Sequence, residues 1–338
     1  MKTLITRLLA AALLSVFSVT VAFAGVQPVY ECGTVITEPG KYKLTTDLVD
    51  CPTGGVTIGV SDVKLDLKGH TITCETNGNL VGGVVAIPFF EEFVRNVVIK
   101  NGSVENCSDG VVLISAVNSK VTNIIASGSR LFEGGYGTGI TVAWSHGNTV
   151  THTYTFGNAT DGIYAFDGSD NLFRHNVAND NINGSGIFTN FENNSRFLCN
   201  RTDGNAAGIA LGAFSNGNLV RGNVASGNVD GIGAVGFSWA GDYFGLIGAD
   251  NAYKNNIATG NYFNDVYEIL FDLATFEYLL EPDNQCLNQW KKNEFGTEFG
   301  PMGCFGYPKN LDDDDVCALE DDDDDDEDDD DDEEDDDD

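Results

Sequence analysis

The chain has 338 residues, 52 acidic and 18 basic, for a formal net charge of −34. A polymer this negative is repelled by phosphate backbones, which excludes nucleic acid as a partner. Forty glycines and only two methionines and four histidines describe a chain rich in tight turns and poor in soft metal ligands.

Residues 1–24 carry Lys2 and Arg7, an apolar run from Leu8 to Val21, then Ala22-Phe23-Ala24. That is the layout of an export signal cleaved before Gly25, and the run is short for a membrane anchor. The expected location is secreted or periplasmic, with no membrane span after cleavage. Residues 25–44 read as an N-terminal cap. Eight cysteines follow the signal, with no CxxC pair. In an oxidising compartment they are expected as disulfides, with Cys32–Cys51 and Cys286–Cys304 closing the two ends.

Residues 45–305 read as one repetitive domain. Gly139-Ile140, Gly162-Ile163, Gly186-Ile187, Gly208-Ile209 and Gly231-Ile232 recur at spacings of 23, 24, 22 and 23. Asn176, Asn200, Asn223 and Asn256 form one parallel series, and Asn158, Asn181, Asn205, Asn228 and Asn261 another. The step from Asn228 to Asn261 widens to 33, which marks an inserted loop. A fixed period of this length means one supersecondary unit stacked on its neighbours. Within a unit the apolar runs are three to five residues long, separated by Gly, Asn, Asp and Ser. Such runs are strands joined by turns, not helices. The expectation is an all-β, single-stranded, right-handed parallel β-helix of about ten coils, each strand pairing with its equivalent ~4.8 Å away. Stacked Asn side chains would then bond to one another along the bends.

Cys32-Gly33-Thr34-Val35-Ile36-Thr37-Glu38-Pro39-Gly40, Val63-Lys64-Leu65-Asp66-Leu67-Lys68-Gly69-His70-Thr71-Ile72 and the Asn/Gly repeats together resemble secreted right-handed parallel β-helix repeat proteins, the group that includes NosD-like periplasmic proteins and pectate-lyase-like folds. The resemblance covers most of the chain and implies the fold. It leaves the activity open, because that group mixes lyases, hydrolases, epimerases, adhesins and proteins without assigned activity.

Three sets of residues could carry chemistry. Long insertions at 86–93, 237–250 and 274–286 fall at one corner of the coil, where other repeats place Trp144, Phe166, Phe191 and Phe214. With Trp239, Asp242 and Tyr243 in an insertion, Trp144, Phe214 and their neighbours would form an aromatic and acidic edge suited to a polysaccharide; the competing reading has these rings stacked in the core. A second set aligns Thr151, Arg174, Leu198, Arg221, Lys254 and Lys291 in one column. Lyases use such bases on uronates, so Arg174 and Arg221, with Asp167 and Asp170, are the catalytic candidates, against the plainer reading of a solvated face. A third set aligns His152, His175 and Cys199, ligand types for copper or zinc. Its outer members would stand ~9.6 Å apart, too far for one ion unless the side chains converge, so no metal is expected there.

Residues 306–338 read as a disordered tail, with 23 acids among Asp312–Asp315, Glu320 and residues 321–338. No motif demands a cofactor; Ca²⁺ is the ion such a tail suits. The sequence thus points to an exported monomer that binds, and could process, a polysaccharide, with catalysis left open. The alternatives are a non-catalytic structural or binding protein with a cation-engaging tail, and a NosD-like metal-maturation accessory.

Overall fold

The computed structural model describes residues 25–75, 82–131, 136–181, 183–239, 242–245, 248–272, 277–279, 286–300 and 304–305, with backbone alone at 236–239, 242–245, 269–272 and 277–279. The expected export signal and the acidic segment at 306–338 lie outside the described residues.

Each coil is built from three short strands, here called a, b and c. In one coil they are Ile163–Phe166, Leu172–Arg174 and Val177–Asn179; in the next, Ser185–Asn190, Arg196–Leu198 and Arg201–Asp203. Every strand pairs in parallel with its equivalent one coil on, so like positions superpose. The b and c strands join into a 19-stranded sheet, and the a strands form a 13-stranded one. Two of the thirteen, Asp242–Gly245 and Glu277–Leu279, are antiparallel hairpin additions, leaving eleven rungs among the described residues where about ten coils were expected. Stacking begins within residues 25–44: Gln27–Val29 pairs with Gly40–Leu44, and Thr34–Ile36 with Val56–Ile58.

The interior is a set of columns. Ile140, Ile163, Ile187, Ile209 and Ile232 lie one above another and are fully buried. In strand b the column runs Val150, Phe173, Phe197, Val220, Tyr253 and Trp290. Its rings stack face to face, at 4.9 Å for Phe173 and Phe197 and 3.9 Å for Tyr253 and Trp290. The glycines of the repeat are explained by closeness: a Cβ on Gly162 would sit 2.7 Å from the carbonyl oxygen of Gly186, and one on Gly208 as close to that of Gly231. Only a residue without a side chain lets the backbones approach so far.

Strand b turns into strand c through one residue in the left-handed conformation: His152, His175, Cys199, Gly222, Asn255 and Lys292, with φ between 51° and 66°. The next residue is an Asn of the first ladder in every one of these coils but the first, where Thr153 stands and donates to Asn176 Oδ1. Asn200 is typical: its Nδ2 donates to the Phe173 carbonyl at 2.9 Å and to Asn223 Oδ1 at 2.9 Å. Its Oδ1 accepts from the backbone N–H and the Nδ2 of Asn176. Bends that would leave buried backbone groups unpaired are thereby satisfied.

Disulfides close the ends as expected, Cys32–Cys51 and Cys286–Cys304, and a third joins Cys74 to Cys107. Beside the last of the b and c strands, Phe305 packs its ring on Trp290 at 4.7 Å. No helix among the described residues is long and apolar enough to cross a membrane.

Candidate functional site

The outward side of the a-strand wall is aromatic. Residues inside and outside alternate along a strand, so in Ile163–Phe166 the residues Tyr164 and Phe166 face out while Ile163 and Ala165 are buried. Tyr164 stacks on Phe188 of the next coil at 5.8 Å and 15°, and Tyr136 leans on it at 5.7 Å. A second line runs along the a–b corner: Trp144 to Phe166 at 5.5 Å, Phe166 to Phe191 at 5.7 Å, and Phe191 to Phe214 at 5.2 Å. These rings are not core. Trp144 is 46% exposed, Phe191 40% and Phe214 38%, so of the two readings open in the sequence the surface one holds for them.

The register also refines the corner. The position equivalent to Trp144 and Phe191 is Asp167; Phe166 aligns instead with Ala143 and Asn190. The Phe166 ring reaches across and bridges the gap that Asp167 leaves. Trp144, Asp167, Phe191 and Phe214 all hold positive φ, between 50° and 58°. For bulky side chains that conformation costs on the order of 1–3 kcal/mol each, and it holds these rings at the bend as it holds His152, His175 and Cys199 at the b–c corner.

Between the two aromatic lines lies a cavity of about 200 Å³, walled by Tyr136, Trp144, Tyr164, Phe166 and Val112 with Asp109 at its edge. Asp109 accepts from the backbone N–H and the hydroxyl of Thr138, both at 3.1 Å. Burial raises its carboxyl above the ordinary range in spite of those bonds. Burial likewise raises the Tyr164 phenol. Asp161, two rungs on from Asp109, is pushed up to about 7 by burial while accepting from the Ser185 N–H. The wall therefore offers ring faces, a phenol and carboxyls whose ionisation burial disfavours. Asp109 is the one carboxylate among the cavity-lining residues, whereas glycoside hydrolysis by a carboxyl pair needs two.

The other candidates are placed as follows. Trp239, Asp242 and Tyr243 lie on a hairpin that prolongs strand a, Trp239 opposite Asp242 and Ser238 opposite Tyr243; their side chains lie outside the described residues. Asp167 and Asp170 occupy the a–b corner of one coil, both with positive φ. Arg174 and Arg221 are on strand b, two rungs apart through Leu198, in the column that Lys254 and Lys291 continue. His152 and His175 stack at 5.2 Å and 23°. Cys199 is disulfide-bonded, so the third member of that column offers no thiolate to a metal. Tyr136, Tyr164, Phe188 and Asp109 went unnoticed in the sequence. The signal for the a-strand rings was there, since the residue after each Gly-Ile pair faces out.

A family model described as a right-handed beta helix region matches residues 70–225. The chain is a right-handed parallel β-helix protein. Among solved structures, this β-helix resembles the A-module of the mannuronan C-5 epimerase AlgE6 of Azotobacter vinelandii, at 15% identity over 84% of this chain and 87% of that one, TM-score 0.54. The pectate lyase Pel9A matches at 15% identity over 77% and 68%, TM-score 0.50. XylC, solved with xylose, matches at 11% identity with a TM-score of 0.52; the alignment takes in 75% of this chain but only 45% of XylC. Likeness at such identity concerns the fold. No curated protein matches the sequence.

Proposed function

We propose that this β-helix binds an extended polysaccharide along the outer face of its a strands. The observation that carries the reading is the pair of outward-facing aromatic lines flanking a cavity that Asp109 helps to line. Apolar ring faces match the C–H faces of sugars, and the polar groups beside them match hydroxyls. The corner line spans three rung steps, ~14 Å at the strand spacing, so a chain of sugars rather than one ring fits along it. The hairpins at 230–245 and 264–279 extend the same wall, which keeps Trp239, Asp242 and Tyr243 in the proposed contact surface. That a mannuronan epimerase and a pectate lyase are among its structural neighbours supports a carbohydrate ligand.

Retention on immobilised neutral and uronate glycans tests this. Tyr164→Ala and Trp144→Ala should each weaken it about tenfold, near 1.4 kcal/mol, while Lys41→Ala, on another wall, should leave it unchanged. Equal retention by all these chains would overturn the reading. Release of reducing or unsaturated ends by the unaltered protein would add catalysis to it.

A further inference from the structure

The b wall carries a positive strip on an acidic protein. Arg174, Arg221, Lys254 and Lys291 share one outward column, Arg196 stands beside it and Lys292 occupies the last corner. Arg221, Lys254, Lys291 and Lys292 line one hollow of about 350 Å³. Cys199 sits at the b–c corner of the same strip and is disulfide-bonded. Of the eight cysteines, three bonds take Cys32, Cys51, Cys74, Cys107, Cys286 and Cys304.

We infer that Cys199 is bonded to Cys317 and that the acidic C-terminal segment, residues 306–338, docks on this strip. Cys317 is the partner that the other three bonds leave in the chain. Reach is ample. Cys199 lies three corners back from Lys292, ~14 Å at the rung spacing. The twelve residues from Phe305 to Cys317 span ~40 Å when extended. Order along the segment fits as well. A chain returning from the C-terminal end passes Lys291, Lys254 and Arg221 before Cys199, and Asp312–Asp315 come just before Cys317. Glu320 and the acids after it would then continue toward Arg196 and Arg174. The bond joins the two Sγ atoms, each thiol giving up one proton and one electron. A disulfide-bearing oxidant of the export compartment takes both electrons and is reduced to its dithiol. Tethering holds the acids near the bases at an effective concentration in the millimolar range, so that weak ion pairs suffice.

The test uses the full exported chain prepared without reductant. Peptide mapping before and after reduction should show the Cys199 peptide joined to the Cys317 peptide. Acylation of Lys254, Lys291 and Lys292 by an uncharged reagent should run several-fold slower than in a chain whose acids from 312 to 338 are changed to Asn or Gln. That gap should close in salt of about 1 M, where the Debye length is ~3 Å. A different partner for Cys199, a disulfide-linked dimer, or equal acylation in the two chains at low salt would overturn the proposal.

Discussion

Glu192 is fully buried, and the residues around it account for its presence. A third ladder, Asn148, Asn171, Ser195, Asn218, Asn251 and Asn288, runs along the start of strand b, and at Ser195 it is one side chain too short. The carboxyl of Glu192 mends the gap by accepting from Asn171 Nδ2 at 2.7 Å and from the Ser195 hydroxyl. Gly168 leaves room for it, since a Cβ there would stand 2.6 Å from Oε2. Burial pushes this carboxyl up to about 7. Between the unfolded value near 4.5 and about 7, the folded chain holds a proton that the unfolded chain lacks. Stability therefore falls as pH rises through that interval and levels off above it, by about 3 kcal/mol for such a shift. Glu192→Gln keeps the shape and the acceptor without the charge. Thermal melts from pH 4.5 to 8 should show its stability changing less with pH, with a higher melting temperature than the unaltered protein at pH 8. Parallel pH profiles for the two proteins would mean that Glu192 is charged and compensated in the folded state.

At the level of the strand and its corner, the Asn ladders do for the bends what paired strands do for the walls. Asn200→Ala removes the acceptor of two Asn176 donors and the donor to Phe173 and Asn223, all in a dry bend. An unmet buried partner costs about 1–3 kcal/mol, so denaturant titration should show a loss of about 2–5 kcal/mol for this change. The exposed corner residue Asn194, replaced by Gly, should cost little, because Gly takes the same left-handed backbone freely. A loss for Asn200→Ala no larger than for Asn194→Gly would show that the ladder is ornamental. These ladders were legible in the sequence wherever Asn recurs at 22 to 24 residues, as were the glycine column and the basic column, because a constant period fixes the register of everything it carries. The ladder with Ser195 was not, since its function passes to Glu192, three residues away. Phe166 was assigned to the Trp144 line because both are aromatic. The strand register instead puts Asp167 there, and only the reach of the ring restores the contact. The a-strand face was missed because Gly-Ile draws attention to what points inward, while Tyr164 and Phe188 are read only by taking the alternate positions.

In the whole molecule, contacts run between neighbouring coils, so stability is a sum of rungs and their interfaces, and opening starts at the ends. That makes each closing disulfide a local device. Cys286 and Cys304 are 18 residues apart, and the loop they close holds Trp290 and Phe295 under Phe305. A bond closing a loop of this size contributes on the order of 3 kcal/mol. Nearest-neighbour coupling confines most of that effect to the final rungs. The variant Cys286→Ala/Cys304→Ala should therefore lose amide-exchange protection over Gln289–Lys291 and Ala252–Lys254. Protection over Thr149–Thr151 and Leu172–Arg174, four and more rungs away, should hardly change. Glycan retention should survive the change, because Trp144, Tyr164 and Phe191 belong to those central coils. Protection lost evenly from end to end would instead show that the coils open as a single cooperative body, and the aromatic wall would then depend on a cap several rungs away.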